Sequence, residues 1–190
     1  MWVSRGPRPE PGVEAIRIHN AVVEAAVTQE VTPVPLRFGQ WLDDESALHD
    51  AIAEKATSYR ERLAQFAGCL EFGLRLIDPA EPDPILAEHR PPPTSGLEYM
   101  RALQEGSRLA DKKRGEVEKV HARIRELLRD VVREEMVEEA RTAHAVLTLS
   151  HLVARPKFDE YRALGRSIRE MFPELRMLLS GPWPPYSFAV

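Results

Sequence analysis

The sequence predicts an α+β protein in two parts. Helical apolar stripes alternate with short strand-like runs, and no glycine-rich phosphate loop joins a strand to a helix. A stretch from Asp78 to Gly96 then divides the chain, carrying Pro79, Pro82, Pro84, Pro91, Pro92 and Pro93, and reads as a linker. The scheme that follows is an N-terminal α+β domain over 1–77, a linker over 78–96, a mainly helical α+β domain over 97–180 and an extended tail over 181–190.

Residues 1–12 hold three prolines and two glycines and are expected to be coil. Val13, Ile16, Asn20, Val23 and Val27 recur at spacings of three and four, with Val22 and Ala26 widening the stripe, which predicts a helix over 13–28. Val31 to Phe38 is rich in β-branched and apolar residues, but Pro33 and Pro35 each remove a ladder donor, so an edge strand is expected. Asp43-Asp44-Glu45-Ser46 marks a helix start, acidic residues favouring the positive end of the dipole. Leu48, Ile52, Tyr59, Leu63 and Phe66 share a face up to about Ala67, where Gly68 closes the helix. Cys69–Ile77 alternates Leu70, Phe72, Leu74 and Leu76 with Glu71, Gly73 and Arg75, the period of a half-buried strand.

Beyond the linker, Leu97, Met100 and Leu103 open a helical region. Val117, Val120, Ile124, Leu127 and Val131 continue it at heptad spacing, which two-heptad coiled-coil pairing and packing on a neighbouring element explain equally well. His144–Val153 reads as a strand, Pro156–Phe172 as a helix stopped by Pro173, and Leu175–Leu179 as a last strand.

The tail is the most unusual stretch. In Gly181-Pro182-Trp183-Pro184-Pro185-Tyr186-Ser187-Phe188-Ala189-Val190, three prolines fix φ and remove three backbone donors, so no helix forms there. Trp183, Tyr186 and Phe188 sit on this stiff segment as apolar anchors, each able to bury roughly 150–250 Å². Two destinations are open, the protein's own domain and a partner.

Composition excludes several functions. The chain has 190 residues, a net charge of −4 and a pI near 5.9, a field that repels nucleic acid and anionic membranes. No apolar run reaches the roughly 18 residues that span a bilayer, and cytoplasmic residence is expected. Cys69 is the single cysteine, so an intramolecular disulfide and a multi-cysteine zinc site are both excluded, and a buried thiol is expected. Lys112-Lys113-Arg114 is flanked by acids and reads as a solvated face. No nucleophile elbow and no paired zinc-helix motif occurs. Glu118 and His121 make a single E-x-x-H where a di-iron bundle needs two, and His144 and His151, seven apart in a strand, point to opposite faces. No catalytic residue, metal or cofactor is therefore expected. Arg37, beside Phe38 and Gly39, is the candidate buried anchor at a strand end or contact to a partner, while Gly39 and Gly73 suit special backbone angles or close packing.

Three segments carry a family resemblance. The stretch Pro33-Val34-Pro35-Leu36-Arg37-Phe38-Gly39, the run Glu71-Phe72-Gly73-Leu74-Arg75 and the ending Gly-Pro-Trp-Pro-Pro-Tyr-Ser-Phe resemble, in that order along the chain, motifs of the GvpF/GvpL family of gas vesicle proteins. The similarity covers about residues 19–190. It implies an N-terminal ferredoxin-like domain followed by a mainly helical α+β domain. The family's opening strand has no counterpart in Met1–Gly12, so that domain is expected without its first strand, through a gapped or rearranged domain or a sequence that starts downstream of its true beginning. The resemblance also implies a non-enzymatic minor assembly component located with gas vesicles. Its partners would be the hydrophobic shell protein and other minor gas vesicle proteins, with no nucleic acid and no lipid membrane. Arg37, Phe38, Gly39, Trp183, Tyr186 and Phe188 are the candidate structural or partner-contact residues. The alternative is a ferredoxin-like ligand-sensing or regulatory module, which requires a concave pocket with convergent polar groups.

Overall fold

The computed structural model describes residues 6, 10, 12–35, 38–79, 96–138 and 145–189, with side chains omitted at 96–103, 105–107 and 109–110. Residues 80–95 of the linker expected over 78–96, and most of the expected N-terminal coil, lie outside the described residues. Among the described residues no helix is long and apolar enough to cross a membrane.

Two compact units make up the chain, residues 1–71 together with 181–190, and residues 72–180. The break falls between Glu71 and Phe72, inside a strand, whereas composition placed it at 77/78. Residues 181–190 are grouped with the first unit rather than standing apart.

In the first unit, α1 (Val13–Thr28) buries Val23 and Ala26, the C-terminal half of its apolar stripe. The chain leaves it through Glu30 at φ 61 and runs without a strand through the described residues 31–35. Pro33 and Pro35 remove ladder donors there, so the edge strand expected over 31–38 is absent from the described part. A side chain makes the link instead, the Thr32 hydroxyl donating to the Cys69 carbonyl at 3.3 Å. Helix α2 (Glu45–Phe66) starts where the acidic run predicts: the Asp44 carboxylate accepts from Ala47 N at 2.8 Å and caps the first turn. It closes at Gly68, whose φ of +69 suits glycine. The Cys69 thiol is buried, its sulfur 3.7 Å from the Ala67 carbonyl.

Strand β1 (Cys69–Ile77) leads into the second unit, where α3 (Gly96–Leu128), β2 (Val132–Glu138), β3 (Ala145–Ala154), α4 (Phe158–Met171) and β4 (Arg176–Trp183) follow. A short 3-10 turn, Arg155–Lys157, precedes α4. The strands form one sheet in the order β2-β3-β1-β4. β2 and β3 pair antiparallel, Met136 opposite Ser150 and Glu138 opposite Thr148, with an irregularity between Val132 and Glu134.

The element order β-α-β-β-α-β is that of the ferredoxin-like motif, and it runs from Cys69 to Trp183. The expectation of a ferredoxin-like domain over 1–77 is corrected accordingly. The described residues before Cys69 supply two helices and no strand, and β1 finds its sheet neighbours in β3 and β4, beyond the proline-rich stretch.

One core fills the second unit. Phe72, Leu74 and Leu76 of β1, Leu147, Leu149 and Val153 of β3, Ile124 and Leu128 of α3, and Tyr161 and Ile168 of α4 are buried together. Each such side chain contributes about 1.5–3 kcal/mol relative to exposure. Val117, Val120 and Leu127 pack at its margin, so the heptad stripe is a sheet-covering helix face. Val131 lies past the helix, its amide closing a turn on the Leu128 carbonyl at 2.9 Å. Close approach explains Gly73, where a Cβ would stand 2.7 Å from Ser180 Oγ.

Candidate functional site

The C-terminal segment is seated in the first unit by specific contacts. Pro184 and Pro185 are buried, and two turn bonds fold the chain behind them, from Tyr186 N to the Pro184 carbonyl at 2.7 Å and from Ala189 N to the Pro185 carbonyl at 3.1 Å. Phe188 is 1% exposed and meets the Phe66 ring edge-on at 6.3 Å. Glu71 grips Ser187 with both oxygens, accepting from its amide at 2.9 Å and from its hydroxyl at 2.7 Å. Strand alternation marks Glu71 as solvent-facing, yet it is 7% exposed, because the tail covers that face of β1. The Tyr186 hydroxyl donates to Asn20 Oδ1 at 2.6 Å, and Asn20 Nδ2 donates in turn to Glu24 at 2.7 Å. Burial, and secondarily the Glu24 charge, pushes the Tyr186 phenol above its ordinary range.

Beside this seat lies a groove of about 480 Å³ bordered by Ile16, His19, Asn20, Pro35, Phe38 and Tyr186. Phe38 stands edge-on to His19 at 5.6 Å. Gly39, at φ +86, occupies a turn that favours glycine and has open space around it. Of the six candidate residues, Phe38, Tyr186 and Phe188 belong to this region, Trp183 remains half exposed, Gly39 serves the turn, and Arg37 lies outside the described residues.

Helix α1 carries apolar side chains that its unit leaves uncovered. Val13 and Ile16 continue the stripe of Val23 toward the N-terminus but are 68% and 51% exposed; Ile18 and Val22, on another face, are 59% and 43% exposed. A helix apolar on more than one face ordinarily meets more than one neighbour.

A second constellation, in the second unit, escapes sequence reading. His121 Nε2 of α3 lies 2.8 Å from Glu135 Oε1 of β2, and Arg125 Nη2 pairs with the same oxygen at 3.2 Å. His151 Nε2 of β3 lies 3.1 Å from Glu135 Oε2, and its Nδ1 lies 2.7 Å from the Tyr161 hydroxyl of α4. An ionised carboxylate only accepts, so a neutral His151 carries its proton on Nε2 and accepts from Tyr161 at Nδ1. The His151 bond, opposed by burial and reinforced by His121, holds the Glu135 carboxyl down at about 2. Burial, and then the Glu135 charge, raises the Tyr161 phenol well above its usual range.

Tyrosine, imidazole and carboxylate in sequence have the form of an activated nucleophile and its base. Their placement argues otherwise, because Tyr161 is 1% and His151 0% exposed and no substrate atom reaches them. The cluster ties four elements together. Glu118, the other half of the E-x-x-H, is exposed, and among the described residues no group of His, Cys, Asp or Glu is arranged to hold a metal. The signal is hidden in sequence because the partners are spread from 121 to 161 and converge only through the β2–β3 register.

These features define an α+β protein whose C-terminal segment is an integral part of its first unit. The chain belongs to the gas vesicle synthesis protein GvpL/GvpF family, whose model matches residues 2–190. It is 28% identical over 194 residues to gas vesicle protein L of a Streptomyces species, the match covering 93% of this chain and 69% of that one. To gas vesicle protein L of Haloferax mediterranei it is 26% identical over 202 residues, covering 95% of this chain and 63% of the relative. In fold it resembles the crystal structure of the gas vesicle protein GvpF from Anabaena, with a TM-score of 0.76, 18% identity, and coverage of 98% of this chain and 82% of that chain. The GvpF structure from Microcystis aeruginosa gives a TM-score of 0.68 at 18% identity, covering 99% and 83%. A gas-vesicle-related role follows from membership of the family.

Proposed function

We propose that this chain is a non-enzymatic minor assembly protein of gas vesicles that binds the hydrophobic shell protein and assists its nucleation or assembly, acting beside other minor vesicle proteins. The observation that carries the reading is the uncovered apolar surface of α1, where Val13, Ile16, Ile18 and Val22 are all at least 43% exposed. An apolar helix face and an adjoining groove suit an amphipathic segment of a small apolar subunit, whose burial would supply most of the binding free energy. Phe38 and Tyr186 border that groove and are the contact residues of this reading, while Phe188 acts from beneath by holding the tail in place. The absence of a reachable nucleophile in the Tyr161–His151–Glu135 cluster supports a binding role over turnover. On this reading the protein works in the cytoplasm in association with gas vesicles, which its family membership supports.

The test is capture of the shell protein from co-expressing cells by the full chain and by an Ile18→Lys/Val22→Lys variant. Capture by the first and its loss in a variant with unchanged melting supports the reading. Equal capture by both moves the contact off α1, and no capture by the folded full chain overturns shell binding.

A further inference from the structure

We propose that the groove beside α1 receives a partner helix carrying a carboxylate next to its apolar stripe, the apolar side chains seating on Ile16 and Phe38 and the carboxylate on Arg17. The inference deepens the shell-binding reading and rests on it: the helix belongs to the shell protein. All the described residues that border the groove lie in the first unit. Its apolar wall is made of Ile16 from α1, Pro35 and Phe38, and Ala189 of the tail. Ile16 stays 51% exposed although it continues the stripe that buries Val23, so this end of the stripe is open. None of these residues lies in a strand, so no ladder edge is presented to an extended peptide and recognition falls to side chains, the helix-in-groove mode. At about 480 Å³ the groove holds a few side chains while the helix that bears them lies outside.

Charge selects the occupant. The polar border consists of Arg17, His19, Asn20 and Tyr186, and none of these carries a carboxylate, in a chain whose net charge is −4. The Tyr186 hydroxyl already donates to Asn20 Oδ1, and Asn20 Nδ2 uses one N–H on Glu24 and carries a second. His19 adds at least one ring N–H in either tautomer. Arg17 precedes Asn20 by three residues, so the two side chains are neighbours on the helix surface. Glu14 stands 3.7 Å from Arg17, but the two side chains are 77% and 75% exposed, and water and salt weaken such a pair. A carboxylate partly sheltered by the apolar wall is a stronger partner for the guanidinium than Glu14. A lysine or arginine on the incoming helix would meet like charge instead, so the border discriminates by sign.

The test is capture of the shell protein from co-expressing cells by the full chain, unaltered or carrying Arg17→Gln or Arg17→Glu, with washes at roughly 50 and 500 mM salt. The unaltered chain is expected to hold about tenfold more shell protein than Arg17→Glu at low salt and to lose severalfold at high salt. Arg17→Gln is expected to fall between them and to respond little to salt. A set of shell-protein variants, each changing one Asp or Glu to Lys, is then captured with Arg17→Glu, and one of them is expected to restore binding. Restoration by none, or capture by a natively helical Arg17→Glu chain equal to that by the unaltered one, overturns the proposal. If Arg17→Glu fails to fold, Arg17→Gln decides, and capture with the salt response of the unaltered chain overturns it. The two readings fail differently: shell protein held equally by all three chains overturns the Arg17 contact alone, whereas none held by the folded unaltered chain overturns shell binding and this contact with it.

Discussion

Phe188 and Trp183 stand five residues apart on the same stiff segment and have opposite fates, one enclosed against Phe66 and the other half in solvent. Phe188→Ala is expected to destabilise the protein by about 3–5 kcal/mol, while Trp183→Ala stays within about 0.5 kcal/mol, as urea unfolding would measure. The sequence marks both as anchors, because aromatic size and proline stiffness are local properties. Which anchor finds a surface is decided by Phe66, more than a hundred residues away, and so is not legible. Glu71 is hidden for a related reason, since strand alternation assigns it to solvent and only the tail's return buries it. Glu135 is equally illegible, one acid among several in Val132–Glu138, singled out by His121 and His151 arriving from other elements. Its carboxyl lies at about 2 in the folded chain against an ordinary 4.5, so its contribution to stability is complete above the ordinary value and disappears as pH falls through 2. Glu135→Gln is therefore expected to lower the thermal midpoint at neutral pH, and the gap to the unaltered chain should close in a melting series taken from pH 5 down to pH 2.

The elements that periodicity predicts are those whose pattern is generated by one neighbour. Helices α1 and α2, strands β1 and β3, and α4 follow their stripes within a few residues. Strand β2 is missed because Val131 continues the heptad spacing of α3 and the acids of Val132–Glu138 break any alternation, leaving its pairing with β3 as the cause of the strand. The opposite error occurs at 31–35, where β-branched residues suggest a strand that two prolines prevent. Helix α1 shows how a stripe is read correctly and still misjudged in extent: Val23 is covered and Val13 and Ile16 are not. Because Ile18 and Val22 are 59% and 43% exposed, Ile18→Lys with Val22→Lys is expected to leave stability unchanged within about 0.5 kcal/mol. A large drop in differential scanning calorimetry would reveal an internal contact for that face.

For the molecule as a whole, the division into units follows contacts between distant segments, which proline density does not report. Proline density suggested a cut after Ile77, but β1 carries on from one unit into the next, and the tail returns to the unit the chain began with. The ferredoxin-like order belongs to Cys69–Trp183, which composition had split in two. Removing residues 181–190 is expected to raise amide hydrogen exchange in α1 and at Cys69–Glu71 while the β2–β3 pair keeps its protection, because the lost contacts lie in the first unit. Faster exchange in β2 and β3 as well would mean that the units unfold together. The discontinuity also sets an order of events during synthesis. All of 72–180 has been translated before Gly181 is added, an interval on the order of ten seconds. The unit that begins first is thus completed second, and a nascent chain arrested before Gly181 carries every residue of its second unit and an unfinished first one.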